Sequence, residues 1–289
     1  MSQHISLEEI KKFWPKDAPE IINVQKYVSK YKNEKIVIKY GGNVLIDRNV
    51  FNKFILDINI LNKLGLSVII VHGGGPRIKR ELDKKKIESK FIDGLRVTDK
   101  NIINVVEEVL IEFNNDIVSN LKKLGTNATS FHTKENNIIE VKPEREELGF
   151  VGIPNKINSQ LINDAINKNE IPIIAPLGLG ENQQTYNING DTAASAIAKK
   201  LKSRRLLLMT NVEGVYDDQK KLITEIKPFD LENLIKWKVV QGGMIPKIQN
   251  CVDAVENGVR GVVILDGRKP HSILHEIFSD KGSGTLIRE

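Results

Sequence analysis

Short runs of consecutive aliphatic residues recur along the chain, separated by longer amphipathic stretches. Such runs are typical of buried strands, and they predict strands at 36–38, 68–71, 171–174, 206–209 and 262–265. Apolar residues at helical spacing predict helices at 50–61, after Pro76, and near 99–124, 156–168, 191–202, 245–257 and 271–278. Residues 128–153 predict short strands and turns in a hairpin layer. This alternation predicts an α/β fold with an open, mainly parallel central sheet and helices on both faces.

The first 34 residues precede this alternation. Ser6-Leu-Glu-Glu9 has the capping-box pattern of a short helix, and a second helix is predicted from the spacing of Ile21, Val24, Val28 and Tyr31 on one face. Neither helix is long enough to be stable alone, so both are expected to dock on another surface. We expect no partner for the second helix's apolar stripe within the minimal α/β unit.

The chain length allows one large domain or two ordinary ones, since 289 residues is about twice a typical domain. No repeat, low-complexity segment or flexible linker divides the sequence. We therefore predict a helical extension over 1–34 and a single domain over 35–289. Within that domain we expect an N-lobe over about 35–185 and a C-lobe over about 186–289.

Composition excludes several classes of protein. The longest apolar runs, such as 67–71, are far shorter than the roughly 20 residues that a membrane-spanning helix needs. Residues 1–14 lack the apolar core of a signal peptide. The single cysteine, Cys251, excludes an internal disulfide framework and a multi-cysteine zinc site. We expect a soluble, cytoplasmic protein with no membrane partner.

The net charge of +6 comes from 43 basic and 37 acidic residues. The lysines are scattered among acids, and the run 84–86, for example, lies beside Glu81, Asp83 and Glu88, as on a solvated helix face. No nucleic-acid partner is therefore predicted. The basic excess fits solubility or the attraction of anionic substrates.

Glycines cluster where predicted strands end, at 41–42, at 73–75, and at 178 and 180. Ligands of open α/β sheets bind at the carboxyl ends of the strands, and glycine lets backbone N–H groups approach an anion. Turn formation alone would explain any one cluster, but three at successive strand ends favour anion binding. The P-loop pattern is absent, and Ile78 stands where a dinucleotide fingerprint needs its third glycine. Protein-kinase signatures are absent too.

Several polar residues beside these loops are candidates for chemistry. Lys39 precedes the first glycine pair and Lys247 follows Gly242-Gly-Met-Ile-Pro, although a lysine at such a place is usually a surface group. Segment 187–191 (Asn-Ile-Asn-Gly-Asp) combines two amides with a carboxylate, or is a helix start with an Asp N-cap. Arg96 could clamp a carboxylate or pair on the surface.

Other polar residues have simpler interpretations. His271 and His275 are four residues apart, but the sequence offers no third metal ligand, so both are predicted to lie on a helix face and no metal site is predicted. Residues 217–218 are interpreted as a turn and Cys251 as structural.

Six segments taken in order resemble the amino acid kinase family over roughly residues 20–289: Ile38-Lys-Tyr-Gly-Gly42, Val71-His-Gly-Gly-Gly75, Gly94-Leu-Arg-Val-Thr98, Asn187-Ile-Asn-Gly-Asp191, Thr210-Asn-Val-Glu-Gly214 and Gly242-Gly-Met-Ile-Pro-Lys247. Each motif alone is weak, but the set is highly specific. Two positions depart from the family pattern: Gly190, where alanine is common, and Asn211, where aspartate is common. The first is expected to loosen the helix start slightly, and the second bears on a nucleotide contact.

Within the family, the resemblance is to members that transfer a phosphoryl group from ATP to the side-chain carboxylate of N-acetyl-L-glutamate, the second step of arginine biosynthesis. A carboxylate with a pKa of about 4.3 is already ionised at neutral pH and needs no general base. The difficulty is electrostatic, because an anionic nucleophile approaches a polyanion. Positioning and cationic stabilisation therefore supply most of the catalysis.

The resemblance also assigns roles to residues. Lys39 and Lys247 stabilise the transferring phosphoryl group, and Asp191 holds both ammonium groups. The substrate's α-carboxylate is bound by Arg96, Asn187, Gly74 and Gly75, with help from Asn189. The nucleotide is contacted by Gly41, Gly42, Thr210, Asn211, Gly214, Gly242 and Gly243, and Mg²⁺ is held mainly by the ATP phosphates. The N-lobe would bind substrate and dimerise, and the C-lobe would bind ATP.

Three alternatives stay open at this point. The chain could act on another carboxylate, such as carrier-bound aminoadipate or glutamate, although Arg96 and Asn187 favour a free α-carboxylate. It could be a catalytically inactive amino-acid sensor, although both lysines and Asp191 are retained. It could belong to an acetyltransferase fusion, for which we expect no room before Glu289.

The resemblance extends to regulation. The helix that contains Ile21 and Tyr31 resembles the N-terminal helix that links dimers into hexamers in arginine-inhibited members. Segment 271–285 resembles the part that holds the effector, with Glu276 as a partner for the arginine cation near Gly282 and Gly284. We therefore expect a homo-oligomer, a dimer or a hexameric trimer of dimers, with L-arginine as inhibitor. The alternative is ordinary oligomer packing, with Glu276 a solvated charge.

Overall fold

The computed structural model describes residues 6–42, 47–242 and 244–289. The helices are α1 (Leu7–Lys11), α2 (Val24–Tyr31), α3 (Arg48–Lys63), α4 (Gly75–Lys84), α5 (Lys100–Lys123), α6 (Ser159–Asn167), α7 (Gly190–Leu201), α8 (Leu231–Lys236), α9 (Met244–Glu256) and α10 (Ser272–Phe278). The strands are β1 (Lys35–Tyr40), β2 (Ser67–His72), β3 (Phe91–Ile92), β4 (Leu95–Arg96), β5 (Ala128–Phe131), β6 (Ile139–Pro143), β7 (Gly152–Ile157), β8 (Ile171–Ile174), β9 (Leu177–Leu179), β10 (Thr185–Asn187), β11 (Arg205–Thr210), β12 (Val215–Tyr216), β13 (Leu222–Ile223), β14 (Glu225–Ile226), β15 (Val262–Asp266) and β16 (Gly284–Ile287).

The central sheet has the strand order β14-β16-β15-β11-β1-β2-β8-β5. Its neighbours are parallel except for β15 and β16, which pair antiparallel. Residues of β1 are buried on both faces: Ile36 and Ile38 pack with α3, α5 and α10, whereas Val37 packs with α7 and α9. The predicted α/β fold, with a mainly parallel sheet between two helical layers, is confirmed.

A second sheet of order β10-β9-β6-β7 lies beside the first. The prediction of a hairpin layer over 128–153 was right for β6 and β7, which pair antiparallel, but wrong for β5, which pairs parallel to β8 in the central sheet. Because β7 extends to Ile157, α6 begins at Ser159 rather than at 156. The hairpins β3–β4 and β12–β13 and helix α8 were not predicted.

The N-terminal extension docks on its own chain. The capping box at α1 is present: Ser6 N donates to Glu9 Oε2 at 2.8 Å, and Glu9 N donates to Ser6 Oγ at 3.2 Å. The inner face of α2 is buried in the central core, where the rings of Tyr27 and Phe278 lie 6.3 Å apart. The expectation that this stripe lacks a partner within the chain was therefore wrong, because α10 covers it.

The expected lobes share one sheet. The boundary expected between 185 and 186 falls inside β10, and β1 of the N-lobe pairs directly with β11 of the C-lobe. Helix α7 packs against β1, β2, β7 and β11, and so lies across the division. In the part of the chain described here, no helix is long and apolar enough to cross a membrane.

Candidate active site

Three charged side chains from three elements meet at the carboxyl ends of the central strands. Lys39 Nζ, at the end of β1, lies 2.9 Å from Asp191 Oδ1. Lys247 Nζ, from α9, pairs with the second oxygen, Asp191 Oδ2. The side chains are only 12–20% exposed. Burial opposes ionisation of Asp191, but the two ammonium groups outweigh it and hold its pKa well below the usual range.

The start of α7 places Asp191 between the lysines. Asn189 is the N-cap residue: its side-chain oxygen accepts from Asp191 N at 2.9 Å and from Thr192 N at 3.2 Å. The alternative in which Asp191 caps the helix was therefore wrong. The Asp191 carboxylate lies in the first turn of α7, where the helix dipole favours a negative charge. It caps no backbone N–H of the described residues and is therefore available to bind the two lysines. Asn189 commits its oxygen to the cap, although the residue lines the cleft.

Two glycines make room for the Lys39 side chain. A Cβ at Gly41 would lie 2.1 Å from Lys39 Nζ, which excludes any larger residue there while the lysine reaches Asp191. A Cβ at Gly190 would lie 3.2 Å from Lys39 Cε, a close but not prohibitive contact. The departure at Gly190 thus bears on the space around Lys39 as well as on the helix start.

A cleft of about 270 Å³ adjoins these charges. The predicted substrate residues Gly74, Gly75, Arg96, Asn187 and Asn189 line it together with Lys39 and Asp191. Apolar residues from separate elements also line the cleft and were not predicted as site residues: Ile78, Phe91, Leu110, Val151, Pro176 and Ile188. Of the three predicted glycine clusters, the first two contribute Gly42 and residues 73–75 to this cleft. The third does not line it, because Gly178 lies within β9 against Val141 and Gly180 lies against Tyr186.

Arg96 is a buried cation at one end of the cleft, with 8% of its surface exposed. Its guanidinium donates to Ser89 Oγ and, at 3.4 Å, to the carbonyl oxygen of Gly75, and it lies 4.7 Å from the centre of the Phe91 ring. Burial lowers its pKa. Among the described residues, no carboxylate lies within 4 Å of it. Its hydrogen-bond partners are neutral, and the Asp83 carboxylate acts on it only from beyond ion-pair distance, so the cation suits an anionic ligand.

Asn187 ends β10 close to the same space. Its backbone N–H donates to Phe150 O at 2.9 Å, which fixes the main chain. Its side-chain amide lines the cleft, and it makes no hydrogen bond within the described part of the chain. The amide is therefore available to a ligand.

The predicted nucleotide residues lie in different surroundings. Gly42, with φ +85°, lies next to Thr210 and Asn211: a Cβ on it would be 3.8 Å from Asn211 N, in ordinary contact. Gly214 is instead buried against β16, since a Cβ there would lie 2.3 Å from Thr285 Oγ1. Gly242 (φ +53°) is exposed just before α9. Gly243 lies outside the described residues.

A sequence profile of the Amino acid kinase family matches residues 34–266. The chain belongs to the amino acid kinase family. An acetylglutamate kinase from Pelagibacter ubique (strain HTCC1062) is 54% identical over 282 residues, which cover 98% of each chain. The family resemblance drawn from the six motifs is therefore confirmed.

Two solved structures share the fold of this amino acid kinase. N-acetylglutamate synthase from Neisseria gonorrhoeae, complexed with coenzyme A and N-acetyl-glutamate, aligns with a TM-score of 0.84 at 22% identity, covering 92% of this chain and 62% of that chain. The same synthase complexed with coenzyme A and L-arginine aligns with a TM-score of 0.80 at 21% identity, covering 92% and 64%. The chain thus spans less than two thirds of the synthase, and the likeness shows a common fold.

The residues predicted for arginine lie in α10, in β16 and in the segment between them. Glu276 is half-buried, burial raises its pKa, and its Oε2 accepts from Ser283 N at 2.9 Å. Gly282 has φ +67°, and a Cβ there would be 2.7 Å from the same oxygen. Gly284 belongs to β16 and faces β15, where a Cβ would lie 2.0 Å from Ile264 O. Glu276 and Gly282 are thus adjacent, and Gly284 is required by strand pairing.

The sequence predicted that His271 and His275 lie on a helix face. His275 belongs to α10, but His271 is the residue before that helix. His271 is buried, and its Nδ1 bonds to Asp57 Oδ1 of α3, while Nε2 lies 3.3 Å from Asp17 Oδ1 of the extension. The sequence offers no periodic signal for a pair 214 residues apart. Within the described ranges, no group of three His, Cys, Asp or Glu residues could hold a metal ion.

Proposed function

We propose that this chain transfers the γ-phosphoryl group of ATP to the side-chain carboxylate of N-acetyl-L-glutamate, giving N-acetyl-L-glutamyl 5-phosphate and ADP, the second step of arginine biosynthesis. The observation that carries the proposal is one cleft with an unneutralised Arg96 cation and the Lys39–Asp191–Lys247 cluster. The names of the full-length relatives support the same reaction.

The cluster suits an attack by one anion on another. A carboxylate oxygen of the substrate forms a bond to the γ-phosphorus as the bond to the β,γ-bridging oxygen breaks, and the electron pair leaves with ADP. The nucleophile is already ionised, so no proton has to be removed. Lys39 and Lys247 neutralise charge on the phosphoryl oxygens. Asp191 holds the two ammonium groups close together, which repulsion would otherwise oppose.

Mg²⁺ is expected to enter with ATP and to be held mainly by the phosphates. Asp191 is the only carboxylate among the described residues that line the cleft, and both of its oxygens face lysines. Thr210, Asn211 and Gly42 adjoin the cleft where the nucleotide would lie. We place this reaction in the cytoplasm.

The direct test is ATP-dependent formation of a hydroxamate, which traps an acyl phosphate. N-acetyl-L-glutamate should react far faster than L-glutamate, L-aspartate or L-2-aminoadipate. A preference for one of the other acids would replace the proposed substrate. No acyl phosphate from any of them, together with binding of an amino acid in calorimetry, would favour the sensor alternative.

Replacing Arg96 by lysine is expected to raise KM for N-acetyl-L-glutamate by at least about tenfold, with KM for ATP little changed. Lysine keeps the charge but loses the planar fork that Ser89 and Gly75 orient. Steady-state kinetics with each substrate varied in turn measures both constants. Arg145→Lys is the matched control, because Arg145 pairs with Asp93 at 3.0 Å on the surface. Equal rises in both KM values would remove Arg96 from the substrate pocket.

We also propose that L-arginine inhibits the enzyme by binding beside Glu276, between α2 and α10. Glu276 is a half-buried carboxylate whose oxygen already accepts one backbone N–H and could receive a guanidinium. Glu276→Gln is expected to raise the arginine concentration for half-inhibition by about tenfold or more while kcat is retained. Glu225→Gln, which breaks a surface pair with Arg288, is the control. Unaltered inhibition in Glu276→Gln would exclude this site.

The oligomer is proposed to be a dimer or a hexameric trimer of dimers. The inner face of α2 is already buried on its own chain, so any contact between dimers must use the outer side of the extension. Ile22, 72% exposed, is an exposed large aliphatic residue in the described part of the extension. Light scattering of the full-length protein distinguishes monomer, dimer and hexamer, and a monomer at micromolar concentration would contradict the proposal.

A further inference from the structure

A chain of hydrogen-bonded polar side chains lies behind the Gly73–Gly75 loop, and two of its three members are buried. His72, at the end of β2, has no exposed surface, and its Nδ1 lies 3.0 Å from the carbonyl oxygen of Gly73. Its Nε2 lies 3.3 Å from Asn114 Nδ2 of α5. Asn114, also fully buried, accepts at Oδ1 from the hydroxyl of Ser130 on β5. The reaction proposed above uses none of these three side chains.

The partners fix which atom donates in each bond. A carbonyl oxygen only accepts, so Nδ1 of His72 carries the proton and Nε2 is the acceptor. Asn114 Nδ2 therefore donates to Nε2, and it also donates to Ile173 O at 2.9 Å. Burial lowers the pKa of His72 to about 4, so the ring is neutral at physiological pH. The direction of donation is Ser130 to Asn114 to His72 to Gly73.

This chain of bonds determines where the next amide points. In a trans peptide the N–H and C=O are planar and point in opposite directions, and the described residues contain no cis peptide bond. With the Gly73 carbonyl oxygen directed at the buried His72, the N–H of Gly74 points the other way. Gly73, Gly74 and Gly75 line the cleft, and Gly74 N–H precedes α4, where it has no partner within the helix.

We infer that His72 and Asn114 are positioning residues that turn the Gly74 N–H into the cleft, where it donates to an anionic oxygen of the bound reactants. The inference rests on the proposed function for the identity of that anion, either a substrate carboxylate or the transferring phosphoryl group. The neutral ring matters because it keeps Nε2 as an acceptor. Glycine is needed at 74, since a Cβ there would lie 2.4 Å from Leu110 Cδ2.

The first test is crystallographic and does not depend on the substrate. His72→Leu removes both ring nitrogens, and the Gly73–Gly74 peptide is expected to rotate away from its wild-type orientation. His72→Asn keeps an amide at the δ position and is expected to restore that orientation. An unrotated peptide in His72→Leu overturns the inference. If His72→Leu does not fold, Asn114→Leu takes its place, because the His72 ring then loses the amide that donates to Nε2. The orientation of the Gly73–Gly74 peptide in Asn114→Leu is then compared with that in His72→Asn.

The second test compares two quantities between variants: the affinity for N-acetyl-L-glutamate, measured by calorimetry, and kcat. His72→Leu is expected to weaken binding of N-acetyl-L-glutamate or lower kcat by roughly 10–100-fold, the range for a lost hydrogen bond to a charged group, and His72→Asn to recover most of it. A loss restricted to N-acetyl-L-glutamate, and not shared by N-acetyl-4-aminobutyrate, identifies the α-carboxylate. A fall in kcat alone identifies the phosphoryl group. Wild-type affinity and kcat in a folded His72→Leu contradict the inference.

Thr126→Val is the matched control. Thr126 is 2% exposed and donates to Asn59 Oδ1 at 2.8 Å, so the variant loses a buried hydrogen bond remote from the glycine loop. It is expected to lower the midpoint of thermal unfolding without changing affinity or kcat. An equal kinetic loss in Thr126→Val would assign the effect of His72 to stability alone. Failure of the wild-type protein to form the acyl phosphate counts against the proposed function and leaves the crystallographic comparison valid.

Discussion

Replacing either Lys39 or Lys247 by alanine is expected to lower kcat by about 10²–10³-fold, the usual cost of one preorganised group that stabilises transition-state charge. Both ammonium groups converge on one buried carboxylate, so each is fixed before ATP binds. The loss should appear in kcat more than in KM, because the charge that each lysine meets is greatest in the transition state. Coupled detection of ADP measures both constants.

Lys199→Ala is the matched control for both variants. Lys199 belongs to α7 and pairs with Asp253 of α9 at 2.6 Å, so it joins the two helices that carry Asp191 and Lys247 but lies outside the cleft. The kcat of Lys199→Ala should remain near the wild-type value. Near-normal kcat in Lys39→Ala or Lys247→Ala, with unchanged circular dichroism, would disprove the assignment of these lysines.

The sheet could be predicted because its strands are short uninterrupted aliphatic runs, a pattern produced by helices on both faces. Residues 36–38 and 206–209 show this, and they pair directly in the structure. The second sheet has no such pattern. Strand β9 is only three residues long and β10 consists of Thr185, Tyr186 and Asn187, so their pairing depends on neighbours rather than on local hydrophobicity.

Parts of the candidate site could be predicted where the chemistry depends on residues that are neighbours in the sequence. Glycines after strands placed Gly41 and Gly74 correctly at the carboxyl edge of the sheet. The partners of each side chain could not be predicted in this way. Arg96 is oriented by Phe91, from a hairpin of two-residue strands, and by Ser89, just before that hairpin. Strands this short leave no periodic pattern.

Hydrogen bonds between polar residues far apart in the chain could not be predicted from the sequence either. The bond from His271 to Asp57 joins α3 to the start of α10, and the burial that makes it possible exists only once both helices have packed. The apolar face of α2 was visible as a stripe, but a stripe does not reveal whether the same chain or another copy covers it. Phe278 of α10 covers it here.

Asp191→Asn is expected to lower kcat on the order of 10²-fold at neutral pH, although asparagine is nearly the same size. The amide cannot offset two positive charges, so Lys39 and Lys247 repel each other once the carboxylate is gone. Steady-state kinetics at neutral pH measures this fall in kcat. Asp253→Asn, which breaks the Lys199 pair, should leave kcat near the wild-type value.

Stability gives the same variant a second, independent signature. The pKa of Asp191 is held below the usual range in the folded protein, so its ionised form adds stability above about pH 4, and that increment is lost as pH falls toward the folded-state pKa. Asp191→Asn should therefore unfold at a lower temperature than the wild type at pH 7, and the difference should shrink below about pH 4. A difference that stays constant from pH 7 to acid would mean that packing, and not the charge between two lysines, is what Asp191 contributes.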